Sequence, residues 1–161
     1  MNIIRRLGIP LAAALVAATL ATILAPVRLP AEPRSRAESS DLKPLADTHE
    51  FMEHVVEGTF DTLKKGMAEK PADAKAWRSV RDMSLILGES GNLLLIRKPD
   101  DANAADWSTL SIALRESGDT LSKSANAKDY DASRKAYLLL VQACNACHTK
   151  YGDDGEPRIE P

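Results

Sequence analysis

The chain has 161 residues, 44% of them apolar and 27% charged, enough for one domain with a core and at odds with gross disorder. Of its 21 Lys and Arg and 23 Asp and Glu, five Arg and two Glu precede residue 41, so the remainder carries a net charge of −5. An acidic domain argues against nucleic acid as a partner, since phosphate binding needs a basic face.

Residues 1–28 read as a signal peptide or an N-terminal membrane anchor. Arg5 and Arg6 give a positive start, and the run from Leu7 to Val27 is almost uninterrupted apolar sequence. It is about long enough to span a bilayer and ends at Pro26 and Pro30 without a clean Ala-x-Ala, so cleavage and retention both stay open. Residues 29–40 (LPAEPRSRAES and Ser40) are rich in Pro, Ser, Arg and Glu, with no apolar period, and read as a flexible linker.

Four helices are expected in a domain over residues 41–152. The first runs from about Leu42 to Glu69, with Leu42, Leu45, His49, Met52, Val56, Phe60, Leu63 and Met67 in steps of three or four. The second runs from about Asp73 to Arg97, with Val80, Met83, Leu87, Ser90 and Leu94 in line. The third runs from about Asn103 to Ala125 on Trp107, Leu110, Leu114, Leu121 and Ala125. The fourth runs from about Tyr130 to Tyr151 on Ala136, Leu140, Ala143, Cys147 and Tyr151. No stretch alternates as a strand would, and short loops make neighbouring helices antiparallel, so the fold class is all-α, an up-down-up-down four-helix bundle. Residues 153–161 read as a C-terminal tail. Gly88, Ser90 and Gly91 form a small patch that suits the close approach of a cofactor or of a partner subunit, which leaves a homodimer open.

The two cysteines of the chain are three apart, too close for a disulfide framework and one knuckle short of a zinc ribbon. They stand in Cys144-Asn145-Ala146-Cys147-His148, a C-x-x-C-H. Two thiols on one helical turn can each form a thioether with one vinyl group of the same porphyrin, and the next residue, His148, then offers its imidazole to the iron. Such attachment happens outside the cytoplasm, in agreement with the N-terminal segment. The rival is a dithiol redox pair, which sits at a helix N-terminus after a strand. Here the pair lies near the C-terminal end of a helix, where the dipole opposes thiolate formation.

A single C-x-x-C-H close to the C-terminus, on the last of four helices, with Cys-His-Thr-Lys-Tyr placing an aromatic three residues past His148, resembles the class II cytochromes c, which include cytochrome c′ and the low-spin cytochromes of the c556 type. The resemblance covers roughly Leu42 to Tyr151. It implies a four-helix bundle, one covalent haem c, and a distal ligand position on the first helix. Two departures stand out. Members often have Arg just after the aromatic, where this chain has Gly152. Cytochromes c′ often have Arg one turn before the distal position, which is Thr48 here if Met52 holds that position.

Met52 lies on the expected stripe of the first helix, at the level of His148, and is the expected sixth ligand. His49, one turn earlier, is the alternative. Met67 lies too far along and Met83 reads as core. His54, about 200° around from Met52, should face solvent. Trp77 and Trp107 read as core at the bundle ends.

These observations lead us to expect a monohaem c-type cytochrome that carries electrons in the periplasm between redox partner proteins, free or anchored to the inner membrane. Cys144 and Cys147 would hold the haem, with His148 and Met52 on the iron. The alternatives are a five-coordinate, cytochrome c′-like protein that binds NO or CO, and a reductase subunit or sensor module. No general base, nucleophile or polar substrate site is visible, so no enzyme is expected.

Overall fold

A computed structural model of the chain describes residues 42–152 and 158–161. The expected signal or anchor (1–28) and linker (29–40) lie outside the described residues. Among those described, the protein is all-helical, with four helices packed together and no strand.

The first helix, α1, covers residues 48–67 and begins six residues later than its apolar pattern suggests. Asp47 accepts from Glu50 N at 2.9 Å, and Glu50 Oε2 accepts from Asp47 N at 3.3 Å. This reciprocal pair satisfies two main-chain donors that a helix start leaves orphaned, so the helix starts there. Leu42 and Leu45, expected on the buried stripe, are outside it and exposed, at 58% and 103%. From Met52 to Glu57 the helix widens into a π-helical turn before returning to α-helix over Gly58–Met67. A π turn bonds i to i+5 and shifts the helical phase. Upstream of it the buried residue is therefore Phe51, which the stripe omits, while His49, which the stripe includes, is exposed.

Helix α2 (Ala74–Leu94) starts on the Asp73 side chain, which accepts from Ala76 N at 2.8 Å. It stops three residues before the expected Arg97, where Leu95 and Arg97 turn back onto Asn92 and Leu94 carbonyls. Helix α3 (Ala104–Asn126) is capped by Asn103 and helix α4 (Tyr130–Tyr151) by Asp129. The tight link between them places Lys128 at φ 56°.

Leu63 and Met67 of α1, Val80 and Leu87 of α2, Leu121 of α3 and Tyr137 and Leu140 of α4 are fully buried and form the centre of the core. The small patch on α2 serves neither a cofactor nor a partner subunit. It meets α3. A Cβ on Gly118 would lie 2.6 Å from Gly88 Cα, and one on Gly91 would lie 2.5 Å from Ser111 O, so the two helices touch backbone to backbone. Buried serines flank this seam with their hydroxyls satisfied, because Ser84, Ser90 and Ser117 donate to carbonyls of their own helices at 2.7, 2.8 and 2.9 Å.

Main-chain and side-chain bonds join the helix ends. Thr48 Oγ1 donates to Arg97 O at 2.6 Å, linking α1 to the segment after α2. Lys150 pairs with Asp106, linking α4 to α3. Phe60 of α1 stacks on Tyr137 of α4 with centroids 6.2 Å apart.

Two glycines of α1 and α3 should respond in opposite directions. Gly118→Ala forces backbone against backbone and should destabilise by about 1–3 kcal/mol or more. Gly58 is exposed, has helical angles and has nothing within 4 Å of a built Cβ, so Gly58→Ala should stabilise by about 0.5–1 kcal/mol. Chemical denaturation of both variants checks this; equal midpoints would show that the seam is not as close as described.

Candidate functional site

Beyond the Phe60–Tyr137 contact, α1 and α4 part, and a cavity of about 640 Å³ opens between them. Native interiors keep few voids larger than a water molecule, and pockets that enclose a small organic ligand run to roughly 300–1,000 Å³. Its apolar lining comes from Val56 and Phe60 of α1, Leu94 of α2, Trp107 and Leu114 of α3, and Ala143 of α4.

The structure brings the residues singled out in the sequence to this one cavity. Cys144, Cys147 and His148 line it from the last two turns of α4, and all three are half-buried. Spacings of three and four residues put them on one helix face. Met52 lines the cavity from α1, half-buried, at the first residue of the π-helical turn. π turns recur at functional sites, because they re-aim side chains within an otherwise regular helix. His49 is also on the rim, but its side chain is 77% exposed and lies 4.0 Å from Glu53. His54 faces solvent, as its position on the helix requires. Met67 is fully buried in the core and Met83 packs half-buried against it.

The two thiols are not joined to each other. Burial, with the neighbouring Cys147 adding to it, pushes the Cys144 thiol up to about 12. Burial also raises the Cys147 thiol. Both are neutral at physiological pH. A dithiol oxidoreductase needs a lowered thiol pKa at a helix N-terminus, and this pair has the reverse environment at the other end of a helix. Among the described residues, no group of three or more His, Cys, Asp and Glu is placed to hold a bare metal ion.

Two contributors to the site, Trp107 and residues 158–160, and one residue that supports α1 nearby, Phe51, are not marked by the sequence pattern. Trp107 was expected as end-of-bundle core; it is buried, but it also lines the cavity. Its Nε1 donates to Leu94 O at 2.7 Å, and its ring meets Tyr151 edge-on at 5.3 Å. Phe51, under the Arg97 guanidinium at 4.4 Å, supports the start of α1. Of the expected tail, Arg158, Ile159 and Glu160 line the cavity. The only apolar residue in that stretch, Ile159, was the available signal.

Comparison with known proteins gives no match: no protein-family model, no curated protein and no solved structure corresponds to this chain.

The cavity wall makes its own prediction. Trp107→Phe keeps an aromatic ring but removes the donor to Leu94 O, which still accepts from Arg97 N, and some buried volume, so it should cost about 1–2 kcal/mol. Trp107→Ala should cost about 3–5 kcal/mol. Urea unfolding should give that order; a Phe variant as unstable as the Ala variant would mean that the indole hydrogen bond, not the ring, holds this wall.

Proposed function

We propose that this protein is a monohaem c-type cytochrome of the class II type, an exported electron carrier whose haem c fills the cavity between α1 and α4. The observation that carries the reading is the meeting of Cys144, Cys147, His148 and Met52 on one apolar cavity of ligand size. Each part of that donor set suits the group. Two neutral thiols on one helix face can add their S–H across the two vinyl groups, with no oxidant or reductant consumed. His148, in the next position, would be the residue that holds the iron. Across the cavity Met52 offers a half-buried thioether, while the side chain of His49 is 77% exposed, which favours Met52 as sixth ligand.

When bound, the haem iron supplies the one-electron chemistry. The residues of this chain hold and surround it. Val56, Phe60, Leu94, Trp107 and Leu114 exclude water, and a His and Met pair favours the reduced iron relative to two imidazoles. The helix-end contacts support an antiparallel up-down-up-down course. The start of α1 meets the end of α2 through Thr48 and Arg97, and the start of α3 meets the end of α4 through Asp106 and Lys150. Arg134, near the start of α4, donates to Met67 O at the end of α1. Attachment of haem c outside the cytoplasm fits a periplasmic location with periplasmic redox partner proteins. Among the described residues, no helix is long and apolar enough to cross a membrane.

Optical spectra of the ferric and ferrous protein test this reading. The wild type should be low-spin with the weak far-red band of an iron–thioether bond. Met52→Ala should turn it high-spin and open it to CO, and His49→Ala should change little. A high-spin wild type that binds CO readily would instead favour the NO- or CO-binding reading. A low-spin state that survives Met52→Ala but not His49→Ala would mean two imidazole ligands.

A further inference from the structure

A residue inside the C-x-x-C-H segment holds the C-terminus against the domain. Asn145 Nδ2 donates to Ile159 O at 2.9 Å, and Ile159 N donates to Asn145 Oδ1 at 2.9 Å. One carboxamide thus satisfies the donor and the acceptor of a single residue, as a neighbouring strand would. The next residue is tied to the opposite wall, since Lys64 of α1 donates from Nζ to Glu160 O at 2.7 Å. Ile159 is half-buried against the core, and Arg158, Ile159 and Glu160 line the cavity. Residues 158–160 therefore bridge the gap from α4 to α1 where those helices stand apart.

We propose that residues 158–160 form a strap across the cavity, latched to α4 by Asn145 and to α1 by Lys64, and that release of this latch widens the access of small solutes. Asn145 is suited to the role because it carries both a donor and an acceptor. Asp there would keep the acceptor and set a carboxylate against the Ile159 carbonyl; Ala would supply neither. The closure is held by a few hydrogen bonds of modest net worth and one half-buried side chain, so it can open locally while the four helices stay folded. Access then depends on the strap rather than on the bundle. The latch stands on geometry alone, whereas its effect on ligands reaching an iron rests on the haem reading.

The test uses the full-length protein as purified. Hydrogen exchange should show the Ile159 amide protected about tenfold or more relative to an open chain, with the protection lost in Asn145→Ala and reduced in Asn145→Asp. An Ile159 amide that exchanges freely in the wild type would overturn the latch. Imidazole should bind the ferric protein about tenfold faster in Asn145→Ala and in a chain ended at residue 157, and faster to a lesser degree in Lys64→Ala, which leaves the attachment segment untouched. Equal rates in all of them, with helicity unchanged, would overturn the gate. Protein without haem would remove the proposed function but not this test, because alkylation of Cys144 and Cys147 by iodoacetamide should then follow the same order of rates.

Discussion

Between α2 and α3 the side chains nearly vanish: Gly88, Gly91 and Gly118 let the two backbones meet, with Ser84 and Ser111 beside them. Two helices in that contact cannot be pushed apart by a ligand. Whatever space the protein keeps must lie elsewhere, and it lies between α1 and α4, which meet at Phe60 and Tyr137 and then separate. The closed seam and the open gap are complementary. A stiff pair of helices gives the other two a fixed frame, so a cavity can persist without collapse of its walls.

Within that frame the chemistry is set by burial more than by charge. The thiols of Cys144 and Cys147 are kept neutral by desolvation. That makes them poor nucleophiles for disulfide exchange. Glu53, Glu57 and Asp61 line the cavity as exposed side chains, while Val56, Phe60 and Leu114 contribute to its apolar wall. An iron in such surroundings would exchange electrons with little reorganisation of water, which is the physical requirement of a carrier.

The four helices and their core faces were legible because Val80, Leu87, Leu94, Leu121 and Leu140 keep a regular helical period. The C-x-x-C-H was legible because its residues are rare and their register is short-range. Less legible was everything that depends on local geometry. The apolar spacing of Leu42 and Leu45 continued the period beyond the true helix start, which the Asp47–Glu50 box fixes. The π-helical turn at Met52–Glu57 leaves no periodic trace, so the apolar spacing places His49 inward and passes over Phe51. The glycine patch was seen, but its partner on α3 could not be known without Gly118 beside it. Asn145 has no signature at all, since its role depends on a residue fourteen positions away.

Covalent attachment through Cys144 and Cys147 is the central claim of the proposed function, and the mass of the denatured protein tests it most directly. Protein matured in cells that attach haem c should weigh one haem more than its mature polypeptide, and replacing both cysteines by Ala should remove that increment. A mass equal to the bare polypeptide, with both thiols open to alkylation after unfolding, would contradict it.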